Sequence, residues 1–133
     1  MAAGYSGTPL ANKLGLKPGQ RAWFFAMPES VRAEIGDVGL AETAEVEPSL
    51  DMAHIFVTER VELERLLADL RNTIARDGMV WVSWPKKTSK VPTDVTEDTI
   101  REVALPMGWV DVKVCAVDEV WSGLKLVIRK ELR

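Results

Sequence analysis

The chain has 133 residues, 47% of them apolar and 28% charged, a balance that fits one globular domain burying roughly 65–70% of its unfolded surface and excludes disordered and fibrous classes. Its formal net charge of −3 argues against binding nucleic acid through the surface at large. No apolar run reaches the roughly 18–20 uncharged residues of a membrane span, and the opening MAAGYSGTPLANK has no basic region followed by an apolar stretch, so no membrane association and a cytoplasmic location are the default expectations.

Residues 1–7 are small and polar and are expected to form a flexible N-terminus, with a single α/β domain over residues 8–133. Thr8 offers an N-cap hydroxyl, Pro9 suits the first helical position and Gly15 a C-cap, which predicts a short helix. Lys17-Pro18-Gly19-Gln20 reads as a turn. The run AWFFAM over residues 22–27 predicts a strand covered on both faces and ended by Pro28. Val31 and Ile35 lie four apart and predict a short helix closing at Gly36, followed by a short strand at residues 44–46. MAHIFV, residues 52–57, is a second buried strand. Thr58 is then expected to cap a helix whose Leu63, Leu66, Leu67, Leu70 and Ile74 share one apolar face. Asp77-Gly78 should stop that helix before a third strand, MVWVSW, over residues 79–84. Asp94 with Glu97 three places on has the form of a capping box, opening a helix that ends before Pro106. Val110, Val112 and Val114, then Leu124, Leu126 and Ile128, alternate with their neighbours and predict an antiparallel hairpin turning near residues 118–123. This order describes an α/β, Rossmann-like three-layer sandwich, its mostly parallel sheet ending in an antiparallel hairpin and its helices on both faces.

The lone Cys115 cannot form an internal disulfide, and with His54 the one histidine no metal site is expected. Charge is uneven: residues 29–51 hold seven acids against Arg32, whereas Lys86, Lys87 and Lys90 stand in a stretch without acids. These are either solvated loops or, at the lysines, a site for a small anionic ligand. The loop that opens Ser83-Trp84-Pro85-Lys86-Lys87 and runs through Lys90 to Thr93 leaves the carboxyl end of a central strand, where open α/β sheets bind ligands. Its lysines and hydroxyls, with free N–H groups at the next helix start, suit a phosphate or carboxylate, although a capping Asp94 would compete.

Asp118, Glu119, Trp121 and Ser122 gather at the hairpin turn. An acid beside an indole can serve as a general acid; the plainer reading folds Trp121 over the sheet edge and leaves the acids in water. His54, inside an apolar strand, reads as a core histidine, and Cys115 as a packing thiol. Serine-histidine-acid catalysis has only His54 to draw on, and no Gly-x-Ser-x-Gly elbow is present. Five tryptophans, Trp23, Trp81, Trp84, Trp109 and Trp121, exceed ordinary need. An exposed pair among them would favour a protein contact, including a homo-oligomer formed through the hairpin or sheet edge.

LGLKPGQRAWFF, LLADLRNTIARDGMVWVSW and the terminal hairpin give the chain a layout that resembles a shortened class I S-adenosylmethionine-dependent methyltransferase over most of residues 10–129. The resemblance implies a reduced methyltransferase-like fold. In that family the first strand runs into a loop with glycines at alternate positions, because backbone must pass close to the methyl donor; here it runs into Met27-Pro28-Glu29-Ser30. For the acid that would hold the donor's ribose, Glu45 and Glu47 are both open. More closely, GYSGTPLANKLGLKPGQR, VWVSWPKK, PTDVTEDTIRE and VDVKVCAVDEVWSGLKLVIRK are similar to a small bacterial family known only as a domain of unknown function, a likeness that implies no activity. The expected function is a noncatalytic binding or interaction module on this scaffold, with no cofactor. The alternative is a small enzyme, or a nucleotide or S-adenosylmethionine binder, using the 84–93 loop.

Overall fold

Successive side chains of a strand point to opposite faces, so runs as apolar as AWFFAM, MAHIFV and MVWVSW demand cover on both. The computed structural model describes residues 8–133, so the expected flexible N-terminus lies outside the described residues. Four strands run parallel: β1 (Arg21–Phe25), β2 (Ala41–Glu42), β3 (Leu50–Phe56) and β4 (Ile74–Pro85). The hairpin strands β5 (Trp109–Ala116) and β6 (Trp121–Ile128) complete a sheet in the order β2-β1-β3-β4-β6-β5, with β6 antiparallel to both β4 and β5. This is the Rossmann-like, mostly parallel sheet with a terminal hairpin that the sequence pattern predicts.

The helices are α1 (Leu10–Lys13), α2 (Glu29–Ile35), α3 (Arg60–Thr73) and α4 (Glu97–Ala104). On one face Leu63, Leu66, Leu67 and Leu70 of α3 and Ile100 and Val103 of α4 pack against Ala53, Ile55, Val80, Val82, Leu124 and Leu126. On the other, Leu10, Leu14 and Val31 cover Met52, Phe56, Met79 and Trp81. Each fully buried leucine contributes about 1.5–3 kcal/mol relative to exposure. Gly15, at φ 71°, ends α1, and the Trp81 indole N–H donates to the Leu14 carbonyl at 2.9 Å, tying that helix to the centre of the sheet.

Several boundaries differ from the sequence reading, each for a reason outside the local segment. Helix α1 starts at Leu10 with Pro9, not Thr8, as its N-cap, because the Pro9 carbonyl is the one that accepts from Asn12 and Lys13. Strand β2 lies before residues 44–46, since Ala41 N–H donates to the Gln20 carbonyl and Thr43 N–H to that of Ala22, both at 2.8 Å; the Thr43 hydroxyl then turns the chain by donating to the Glu45 carbonyl. Helix α3 stops at Thr73, short of Asp77-Gly78, because Ile74 already pairs with Leu50. A β-bulge takes up the intervening residues. Gly78 sits where a Cβ would lie 2.7 Å from Ile74 Cγ1 and 3.0 Å from the Asp51 carbonyl.

Capping is exchanged between two helices. Thr58 does not cap α3, whose N-cap is Glu59. Instead the Asp94 carboxylate accepts from Arg60 N–H at 2.7 Å, and the Thr58 carbonyl accepts from the Thr93 hydroxyl at 2.7 Å and Asp94 N–H at 3.2 Å. Helix α4, for which Asp94 and Glu97 formed the expected box, is closed by a reciprocal Thr96–Thr99 pair. Replacing Asp94 by Ala should therefore cost about 1 kcal/mol, read as a lower urea midpoint at unchanged slope, and should speed amide exchange at Arg60 rather than in α4.

Candidate functional site

Open α/β sheets bind ligands outside the carboxyl ends of their strands, and here β1, β3 and β4 end side by side. At the end of β1, Ala26 has φ 55°, a left-handed conformation that costs a residue with a Cβ roughly 1–2 kcal/mol. Met27 turns into the cluster beneath α1 and α2, and Pro28, which lacks an N–H, is the N-cap of α2. At the end of β2 stands Glu42. Both its carboxylate oxygens accept from Arg32, each at 2.9 Å, and Arg32 lies over the Phe24 ring at 5.7 Å. Those hydrogen bonds hold the Glu42 carboxyl below the usual carboxylate range. The acid at this tip is thus neither Glu45 nor Glu47, because β2 ends earlier than expected; Glu47 instead pairs with Arg21 at 2.8 Å. The turn after β1 thus carries side chains where the methyltransferase family has bare main chain, and the β2 acid is engaged by Arg32; a hollow of about 160 Å³ lined by Phe24, Met27, Arg32 and Glu42 remains at this tip.

At the end of β4 a cleft of about 670 Å³ opens between the 86–93 loop and the start of α4. Trp84, 8% exposed, and Val95, 1% exposed, line its apolar part, with Val91 and Pro92 at the mouth. Lys86, Lys87, Lys90, Glu97 and Asp98 line it as well. Thr93 is also at the cleft, but its hydroxyl is spent within the loop, donating to Thr58 and accepting from Val95 N–H at 3.0 Å. The Ser89 hydroxyl likewise donates to the Lys86 carbonyl. The α4 start is closed by its own threonines, and Arg101 draws on Glu97 and Asp98. Among the described residues, Lys86, Lys87 and Lys90 have no carboxylate partner within ion-pair distance.

Ser83 is not part of this cleft. It is fully buried, its hydroxyl 2.7 Å from His54 Nε2. At the hairpin, Glu119 is exposed and Ser122 half-buried. Trp121 packs edge-on against Phe56 at 5.2 Å between ring centroids. Asp118 accepts from Val120 N–H at 2.8 Å and Trp121 N–H at 2.7 Å, which organises the turn. The two groups of candidate residues are neighbours in the sheet: Trp84 is in register with Ser122 and Pro85 with Trp121, and Lys86 N–H donates to the Val120 carbonyl at 2.7 Å. None of the five tryptophans is exposed.

The sequence reading missed the His54–Ser83 contact, though its signal was present: each is the polar residue within an otherwise apolar strand, and β3 and β4 are adjacent. His54 is fully buried, stacked on Phe56 at 4.3 Å, and its Nδ1 has no hydrogen-bond partner. Burial pushes its imidazole down to about 3. Gly123 of β6 closes over the serine, a Cβ there falling 3.5 Å from Ser83 Oγ, so no substrate reaches this pair. Burial likewise pushes the Cys115 thiol up, against the pull of Lys13 and Lys113, as befits a packing residue.

Residues 11–130 match the family described as a protein of unknown function, DUF3052. The chain belongs to this family. The DUF3052 chain finds no match among curated proteins, but its fold is similar to several solved structures. One is a candidate type 11 methyltransferase of Sulfolobus solfataricus, 12% identical over 91% of this chain and 90% of that one, with a TM-score of 0.67. A second is a SAM-dependent methyltransferase of Aquifex aeolicus, 14% identical over 88% of this chain and 86% of the other, with a TM-score of 0.62. A third is Aeropyrum pernix fibrillarin with natively bound S-adenosyl-L-methionine, 12% identical over 94% and 71%, with a TM-score of 0.59. At these identities the likeness is one of fold. Among the described residues of this DUF3052 chain, no helix is long and apolar enough to cross a membrane.

Because His54 is neutral in the folded protein while the unfolded chain takes up a proton near the ordinary value of 6.5, stability is fully present above that pH. It is lost as pH falls toward 3, by about 1.4 kcal/mol per pH unit. Urea unfolding at about pH 7.5 and about pH 5 should differ by roughly 2 kcal/mol on this account. His54→Gln, which cannot titrate, should flatten that difference.

Proposed function

We propose that this chain is a noncatalytic binding module built on a methyltransferase-like sheet, with its ligand site moved from the tip of β1 to the tip of β4. The observation that carries this reading is the turn after β1, where Ala26 at φ 55°, the partly buried Met27 and the N-cap Pro28 stand in place of the glycines by which backbone comes close to a methyl donor. The engaged Glu42 carboxylate supports it. So does the chemistry of the β4 cleft, whose lysines and apolar residues suit the binding of an anionic ligand.

Thermal unfolding with S-adenosylmethionine and with its demethylated product separates this reading from a donor-binding one. A ligand at about 100 times its Kd stabilises the fold by about 2.7 kcal/mol, which for a chain of this length raises Tm by on the order of 10 °C. The expected result is no rise at millimolar ligand. A rise of that size, with amide shifts at residues 26–28, would establish donor binding and end the proposal.

A further inference from the structure

We infer that the cleft at the carboxyl end of β4 takes a small molecule with one anionic head, a phosphate or carboxylate, on an apolar body. The inference rests on the reading that ligand binding has moved to β4 and deepens it by naming the chemical class. Its first support is size. A cavity of about 670 Å³ lies within the range of about 300–1,000 Å³ usual for small-molecule sites, and it is far larger than one phosphate needs.

The second support is how polar groups around the cleft are used. The Ser89 and Thr93 hydroxyls are already used inside the protein, and at the start of α4 the Thr99 N–H is taken by the Thr96 hydroxyl. What remains for a ligand is the lysine side, where Lys86, Lys87 and Lys90 sit within one short loop, partly or fully exposed and without carboxylate partners. Like charges so placed repel one another, and an anion relieves that repulsion. Trp84, Val91, Pro92 and Val95, also in the lining, offer apolar surface that a bare inorganic anion would leave wet. Glu97 and Asp98 also line the cleft and are paired with Arg101, and their charge favours the anionic head at the lysines rather than beside the two acids.

The third support is conformational. Lys90 has φ 60° and ψ 14°, a left-handed geometry that glycine adopts without strain and lysine does not. A lysine in such a conformation points to a role for its side chain.

The test is an amide-shift titration of the full chain with four probes: phenyl phosphate, phenylacetate, inorganic phosphate and benzyl alcohol. Phenyl phosphate or phenylacetate should shift amides in residues 84–93 and bind at least tenfold more tightly than either the bare phosphate or the uncharged alcohol. The tighter of the two identifies the head group. Lys86→Glu with Lys87→Glu should weaken that probe at least tenfold while leaving benzyl alcohol unchanged. Lys90→Gly should weaken it at least threefold without lowering Tm, an outcome that loss of folding cannot mimic. Equal affinity for phenyl phosphate and inorganic phosphate overturns the inference, as do shifts confined to other residues or lysine variants that bind as the parent does. These failures leave the absence of donor binding untouched. Conversely, S-adenosylmethionine shifting residues 26–28 ends the earlier reading without altering the result at 84–93.

Discussion

Residues 79–85 of β4 are buried without a break, and covering both faces of that one segment is the constraint from which the arrangement follows. Parallel β3 and antiparallel β6 satisfy its backbone on either side. Its alternate side chains require α3 and α4 on one face and α1 and α2 on the other. Trp81 shows the demand most plainly, being fully buried yet carrying an indole N–H that must find an acceptor, which it does in the Leu14 carbonyl. The short α1 is held at this spot by the central strand rather than by its own four residues, too few to be stable alone.

A strand buried on both faces can present chemistry only where it ends. The polar residue inside β4, Ser83, is turned to the buried His54 and lies against Gly123, and the pH-dependent contribution to stability comes from the burial of His54. Beyond Pro85 the backbone escapes the sheet, Lys86 N–H catches the hairpin at Val120, and the following loop is propped by Asp94 and Thr93 against the start of α3. The loop therefore stands off from α4 and leaves a cleft. At β1 the opposite happens. The chain turns at once through Ala26 into α2, Met27 packs inward, and Arg32 of that helix reaches across to take Glu42.

Much of this was legible in the amino-acid pattern. Uninterrupted apolar runs mark strands covered on both faces, the spacing from Leu63 to Leu70 marks the buried side of α3, and the alternation of Leu124, Leu126 and Ile128 marks β6, each a short-range periodicity; the matching alternation of Val110, Val112 and Val114 does not hold, because the ladder shifts between Asp111 and Lys113 and leaves Val112 and Val114 exposed. The lysine loop was legible as a candidate for the same reason, since its position after a central strand and its lack of acids are local facts. What escaped was every interaction between distant segments. Asp94 reads locally as a cap for α4 yet serves α3, because the loop folds back to put its carboxylate at Arg60. In the sequence the tip acid stayed open between Glu45 and Glu47, whereas the pairing of Ala41 and Glu42 with β1 made Glu42 the tip.

By itself, then, the sequence determined the α/β class, the strand order along the chain, the two-faced burial and the absence of glycine after β1, since these depend on residue type and near-neighbour spacing. Only the tertiary structure decided which groups remain free to act. It consumed the Ser83, Thr93 and Glu42 side chains in contacts between segments far apart in the chain, and it left Lys86, Lys87 and Lys90 unpaired beside an apolar cleft. Hydrogen bonds and ion pairs are made with whatever lies within about 3 Å in space, and spacing along the chain does not specify that neighbour.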